Sequence, residues 1–291
     1  MFLPAMIRRA FCHGWWIPSK SELLFALSRL PAMEHAEVLR FAFQRDILSS
    51  LIGKLLVRHI LSAEFNISSS DVLIGRTHFG KPFLSKPHTH MDFNISHGGQ
   101  YTVVAAVPLG YCGVDVMQIE LPPHEKSASS FVRKLSKIFT ESELEAILSP
   151  ESEYEKMHQF YRHWCLKEAY VKALGCGLRI PLSSLHCTLG TPTRLNPFCK
   201  SEHTVSENWF FEEHELPRNH VAAIAWRLDD SKPHAPYAPF TELDFAQLTS
   251  GLVQLSSATG DCWSSFSGKP RMPPSARQSP STKRTVPEGF T

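Results

Sequence analysis

Two short runs, Tyr101–Val107 (YTVVAAV) and His220–Trp226 (HVAAIAW), constrain this chain more than any other feature. Each is almost continuously apolar and reads as a buried strand. Their likeness, so far apart in the chain, points to two related α+β halves built on one plan. The length agrees, because 291 residues exceed one average domain and suit two compact units of about 100 to 120 residues with a tail.

The elements around those runs follow from local signals. Ser19-Lys20-Ser21-Glu22 is a capping box that predicts a helix over 20–29. From Glu34 to Ala63 the apolar positions recur at helical spacing, which predicts one long helix or a pair broken near Gly53. Residues 72–74, 93–95, 112–117 and 207–215 read as strands, the last turning at Pro217-Arg218-Asn219. Thr140 and Glu143 form a second capping box, and a long amphipathic helix over 152–174 is stopped by Gly175. The resulting organisation is an N-terminal extension over 1–11, subdomains over 12–120 and 121–250, and a Ser- and Pro-rich tail over 255–291 that reads as disordered.

Charge narrows the partners. Thirty Lys and Arg against 28 Asp and Glu leave no global basic field, so a non-specific nucleic-acid binder is excluded and any anion site must be local. No apolar run approaches the roughly 20 residues that span a bilayer. Seven cysteines, odd in number and without a C-x-x-C pair, read as ordinary thiols of a reducing compartment, and the cytosol is the expected location. The first eleven residues carry Arg8 and Arg9 but no convincing secretory signal.

The chemistry concentrates in four segments. In HWCLKEAYVKALGCGL, starting at His163, Glu168 and Lys172 lie four apart and share a helix face with Trp164. Alone, they make a surface ion pair worth about 0.2–0.5 kcal/mol. Gly113-Val114-Asp115-Val116 sets a carboxylate among apolar neighbours, where it either faces solvent or holds a cation. Magnesium takes one or two carboxylates plus phosphate oxygens and water, so Asp115 with Glu168 could hold such an ion. Arg76-Thr-His-Phe-Gly-Lys81 brings two cations and a glycine into one loop whose backbone and side chains could face phosphate, or make a basic surface turn. Asn94-Ile95-Ser96-His97 ends a strand with three polar groups able to bond a ligand. His88-x-His90-Met-Asp92 resembles a metal cluster but lacks a third ligand at helical spacing. The tail cations Lys269, Arg271, Arg277, Lys283 and Arg284 are too dispersed to mark a binding surface.

Together, GRTHFGKP, FNISH, GVDV and WCLKEAYVKALGCGL resemble, in order and approximate spacing, the Sfp-type 4′-phosphopantetheinyl transferases. The resemblance covers residues 12–250 and implies a pseudo-twofold pair of α/β subdomains with coenzyme A in the cleft between them. It implies that Asp115 and Glu168 ligate magnesium, that Glu168 activates a carrier serine, and that Lys172 stabilises charge on the phosphate. It assigns Arg76 to Lys81 and Asn94, Ile95, Ser96 and His97 to the nucleotide and its phosphates. The expected partners are acyl-carrier protein or carrier domains, in fatty acid synthase, mitochondrial acyl-carrier protein or an aminoadipate-type reductase, met by a monomer. A non-catalytic coenzyme A or carrier-binding module on the same scaffold is the alternative, and a magnesium-dependent phosphohydrolase is a third reading. Three departures stand out. Met117 occupies the place of a third carboxylate in many bacterial members, as it does in animal ones. The basic residue expected before the RF pair falls near Glu37 or Arg40. Phe79 stands where close animal relatives carry lysine.

Overall fold

The computed structural model describes residues 6–85, 91–189, 198–201, 209–228 and 238–271. Strand β1 (Ile7–Cys12) leads into helix α1 (Lys20–Ser28), which begins where Ser19 Oγ accepts the Glu22 amide at 3.2 Å and Glu22 returns a bond to the Ser19 amide. Helices α2 (Ala32–Leu39) and α3 (Gln44–Phe65) follow. The expected break near Gly53 lies instead at 40–43. The helix runs through Gly53, where a Cβ would stand 3.1 Å from Ile95 Cγ2, so the missing side chain admits the neighbouring strand. Strands β2 (Ile74–Arg76) and β3 (Pro82–Leu84) form a hairpin. Strands β4 (Met91–Gly98), β5 (Tyr101–Pro108) and β6 (Gly110–Gln118) come next.

Helices α4 (Ala128–Lys134) and α5 (Glu141–Leu148) lead to α6 (Glu153–Leu174), whose end is set by Gly175 in the left-handed conformation at φ 64°. Strands β7 (Leu185–Thr188) and β8 (Phe198–Ser201) pair with each other. The chain finishes with β9 (Phe210–Leu216), β10 (His220–Leu228), β11 (Thr241–Glu242), α7 (Phe245–Thr249) and α8 (Gly260–Ser267).

The two halves repeat one β-α-β-β plan. In the first, β1, α3, β4 and β5 give a sheet in which β5 lies between β1 and β4; in the second, β6, α6, β9 and β10 give a sheet in which β10 lies between β6 and β9. The two apolar runs are those two central strands. One face of β5 and β10 turns inward, where Tyr101, Val103, Ala105, Ala222, Ile224 and Trp226 fill a layer between the sheets. The other faces carry α3 and α6, each 22 residues long, on separate cores. This is the pseudo-twofold α+β architecture that the resemblance implies.

Four expectations need correction. Residues 7–12 form no mere extension, because β1 pairs along its length with β5. The division at 120 is too late, because β6 pairs with β10 and so belongs to the second half from Gly110 onward. The segment from 255 is ordered as far as Arg271. Phe266 is buried on the first core and Lys269 Nζ bonds the carbonyls of Leu39 and Phe41, capping the end of α2. That segment and β11 therefore return to the first half. Finally, Cys187 is disulfide-bonded rather than a free thiol, and the β7–β8 register sets Cys199 opposite it. His88, His90, Arg277, Lys283 and Arg284 lie outside the described residues.

Candidate active site

The two sheets meet edge to edge along β4 and β6, and side chains rather than a backbone ladder join them. Alternate residues of β4 reach across: Asp92 accepts the Cys112 amide at 2.7 Å, Asn94 accepts the Val114 amide at 3.1 Å, and Ser96 Oγ donates to Asp115 Oδ1 at 2.8 Å. On its other side β6 lies against α6. Gly113 permits this contact, since a Cβ there would come 2.0 Å from the Ala169 carbonyl oxygen and 2.3 Å from the Ala173 nitrogen. Asp115, two residues on, faces the same way. Val114 and Val116 face the layer between the sheets.

Asp115 is thereby buried beside the helix that carries the other candidates. Lys172 Nζ donates to its Oδ1 at 2.5 Å and to Ser96 Oγ at 2.8 Å. Its second oxygen, Oδ2, is buried and has no hydrogen-bond partner. An orphaned carboxylate oxygen is costly, on the order of 1–3 kcal/mol or more, and its persistence fits a position meant for a cation. Glu168 and Cys165 occupy the same face of α6 one and two turns earlier. The Cys165 thiol is pushed well above its ordinary range by burial, then by the charge of Asp115 and its closeness as a hydrogen-bond acceptor, with Lys172 opposing and Glu168 adding to the rise. The thiol is directed at the Val221 carbonyl, 3.7 Å away, which leaves Oδ2 without a donor of hydrogen-bond geometry. Asp115 and Lys172 are thus brought together with Ser96, and Glu168 lies one turn before Lys172 on the same helix face. Among the described residues no cluster of three or more His, Cys, Asp or Glu is placed to hold a metal.

His97 ends β4 at the mouth of this seam. Solvent reaches its ring, yet the cleft walls withdraw enough water to lower its pKa, and Lys172 lowers it further. Across from it, the first turn of α3 presents Arg45 and Asp46, which also act on the imidazole. Arg45 went unnoticed in the sequence, where it is one basic residue at the start of an apolar helix. Its charge also falls on His13 and His220. Arg40 is exposed over the ring of Phe41, and Glu37 pairs with Lys54.

The remaining candidates stand apart from the carboxylates. Asn94 is committed to the seam, and Ile95 packs on α3 at Gly53. Lys81 bonds Asp92 at 2.5 Å and the Ala173 carbonyl at 2.8 Å, which fixes the β2–β3 hairpin to the end of α6. Arg76 is exposed and donates Nη1 to the Gly80 carbonyl at 2.9 Å. The amides of Thr77, Gly80 and Lys81 close the turn internally.

This geometry can be set beside known proteins. Residues 14–109 match the family described as 4′-phosphopantetheinyl transferase, N-terminal, and residues 111–225 match the 4′-phosphopantetheinyl transferase superfamily. The human protein named L-aminoadipate-semialdehyde dehydrogenase-phosphopantetheinyl transferase is 33% identical over 292 residues, covering 91% of this chain and 92% of that one. The rat protein of the same name is 33% identical over 286 residues, covering 89% and 90%. The 4′-phosphopantetheinyl transferase Sfp of Bacillus subtilis is 30% identical over 151 residues, covering 52% and 62%. A Thermotoga maritima holo-[acyl-carrier-protein] synthase structure aligns at 19% identity and a TM-score of 0.32 over 41% of this chain and 64% of that one. The two matched regions meet at the β5–β6 junction, where strand pairing also divides the halves, and the chain belongs to the 4′-phosphopantetheinyl transferase superfamily.

Proposed function

We propose that the seam between the two halves moves the 4′-phosphopantetheine arm of coenzyme A onto a serine of a carrier protein, with 3′,5′-ADP as the other product. Family membership supports the reaction class, and the unpartnered Oδ2 of Asp115 is the observation that carries the assignment of this site. In this reading the serine oxygen attacks the phosphorus that bears pantetheine, the bond to the 3′,5′-ADP oxygen breaks, and the serine proton passes to Glu168 directly or through water. Asp115 and Glu168 would hold magnesium, which would supply charge neutralisation on the diphosphate. Lys172, with its side chain 29% exposed, extends a positive charge from Asp115 toward the phosphate oxygens. His97 and Arg45, on facing elements at the cleft mouth, suit an anionic part of the nucleotide.

The name of the human and rat relatives makes an aminoadipate-type reductase carrier domain the first substrate to try, followed by fatty acid synthase and mitochondrial acyl-carrier protein. Both walls of the cleft come from one chain, which suits a monomer. No helix among the described residues is long and apolar enough to cross a membrane, and we place the reaction in the cytosol. Incubation with apo carrier, coenzyme A and magnesium should add one phosphopantetheine mass to the carrier. No mass change, under conditions in which the human relative modifies the same carrier, would rule the reading out.

A further inference from the structure

The β2–β3 hairpin has few cations left to offer a phosphate. Lys81 is held by Asp92 and the Ala173 carbonyl, and Arg76 gives one nitrogen to Gly80. Residue 79, at the tip, is phenylalanine. A further guanidinium reaches the same tip from the end of α6. Arg179 Cζ stands 4.3 Å from the centroid of the Phe79 ring. Arg179 is exposed and, among the described residues, makes no hydrogen bond or ion pair. A cation resting on an exposed aromatic face is held in place weakly and keeps its planar fork of N–H donors for another acceptor.

The backbone builds this arrangement. After α6, Gly175 and Gly177 both take left-handed φ values of 64° and 63°, which turn the chain back toward the hairpin. Gly175 also permits close packing, since a Cβ there would come 2.9 Å from Lys81 Cδ. The hairpin is therefore held to the C-terminal end of the helix that carries Lys172, through Lys81 on Gly175 and the Ala173 carbonyl and through Phe79 under Arg179.

We infer that Arg179 binds a phosphate of coenzyme A, with Phe79 as its seat, and so adds to the hairpin tip a positive charge that position 79 does not supply. The inference rests on the transferase reading of the cleft. Its ligand is a phosphate ester oxygen, of either the 3′-phosphate or the diphosphate.

Calorimetric titration with coenzyme A and with 3′-dephospho-coenzyme A, with magnesium and without carrier, tests it. Arg179→Ala should weaken coenzyme A binding roughly five- to twentyfold, the loss of one charge-assisted contact, and raise KM for coenzyme A more than it lowers kcat. Adding Phe79→Lys to that variant should recover most of the affinity. If the loss disappears with 3′-dephospho-coenzyme A, the contact is to the 3′-phosphate; if it persists, the contact is to the diphosphate. Unchanged affinity for both ligands overturns the assignment, as does a rise confined to KM for the carrier, which would make Arg179 a protein-docking residue. Because the titration needs no transfer, an inactive wild-type protein that binds coenzyme A would count against the reaction and leave the Arg179 result readable.

Discussion

Replacing Asp115 with alanine should separate stability from activity, and the structure sets both magnitudes. In the metal-free protein the carboxylate gains an ion pair with Lys172 and a hydrogen bond from Ser96, yet it carries a buried oxygen without a partner. Removing it forfeits the first two and relieves the third, each on the order of 1–3 kcal/mol. Lys172 is left uncompensated but not stranded, because its side chain is 29% exposed and can turn to water. The terms oppose, so unfolding free energy in urea should change by no more than about 2 kcal/mol. Catalysis has no such compensation. If the metal contributes about 4 kcal/mol of charge stabilisation, its loss slows transfer by about 10³-fold. The assay is single-turnover transfer to apo carrier across a magnesium series, with the thermal shift produced by magnesium plus coenzyme A as a second readout. Asp115→Ala should keep its fold and lose both the rate and the magnesium-dependent shift. A variant that retains more than a tenth of wild-type rate, with an unchanged magnesium response, would refute the reasoning.

Acid should destabilise the protein through three buried histidines. Burial lowers His13 to about 3 and His163 and His220 to about 4, so the folded chain excludes protons that the unfolded chain takes up below about 6.5. Stability is therefore full above 6.5 and falls as pH drops toward 4; urea midpoints between pH 7 and 5 should decline, and His220→Gln should flatten the slope. Lys167→Met should cost about 3–5 kcal/mol in the same titration, because it strands the buried Glu143 carboxylate and removes the donor from the Ile138, Leu182 and Leu185 carbonyls. Adding Glu143→Gln should recover part of that loss, and no recovery would mean that the carbonyls dominate. Gly113→Ala should cost about 1–3 kcal/mol by forcing β6 off α6, and transfer should fall further than stability does, since Asp115 moves with the strand.

How much of this was legible depends on where the determining chemistry lies. Helix α6 could be read to within a residue because both ends are written locally, Ser152 at one and Gly175 at the other. Asp115 was visible as an anomaly, a carboxylate in an apolar strand. Arg45 was not, because only the packing of α3 beside β4 gives it His97 as a neighbour. The segment after Leu255 misled through composition. Its Ser and Pro content reads as disorder, while a few residues that pack or bond, among them Trp263, Phe266 and Lys269, hold it to the first core. Composition counts residues, whereas order here depends on a few contacts made far away in sequence.

The two halves place an ion pair at matching positions but surround it differently. The central strands align at Tyr101 and His220, whose rings meet edge to face at 5.0 Å. In that register Val104 corresponds to Ala223, and their partners on the neighbouring strands are Arg9 and Asp115. Each partner reaches the 22-residue helix covering its sheet and forms an ion pair near that helix's end, Arg9 with Glu64 and Asp115 with Lys172. The same cross-layer pair is therefore built twice with its sign reversed. Where the strand supplies the cation, both oxygens that could attract a metal sit on an exposed helix end, and the pair is a latch between layers. Where the strand supplies the carboxylate, β4 lies on one side and α6 on the other, and one oxygen is held in the interior with nothing to accept. On the proposed reading only the second arrangement would take a divalent ion, because a buried carboxylate oxygen without a hydrogen-bond donor gains more from such a charge than a part-exposed one already paired with arginine.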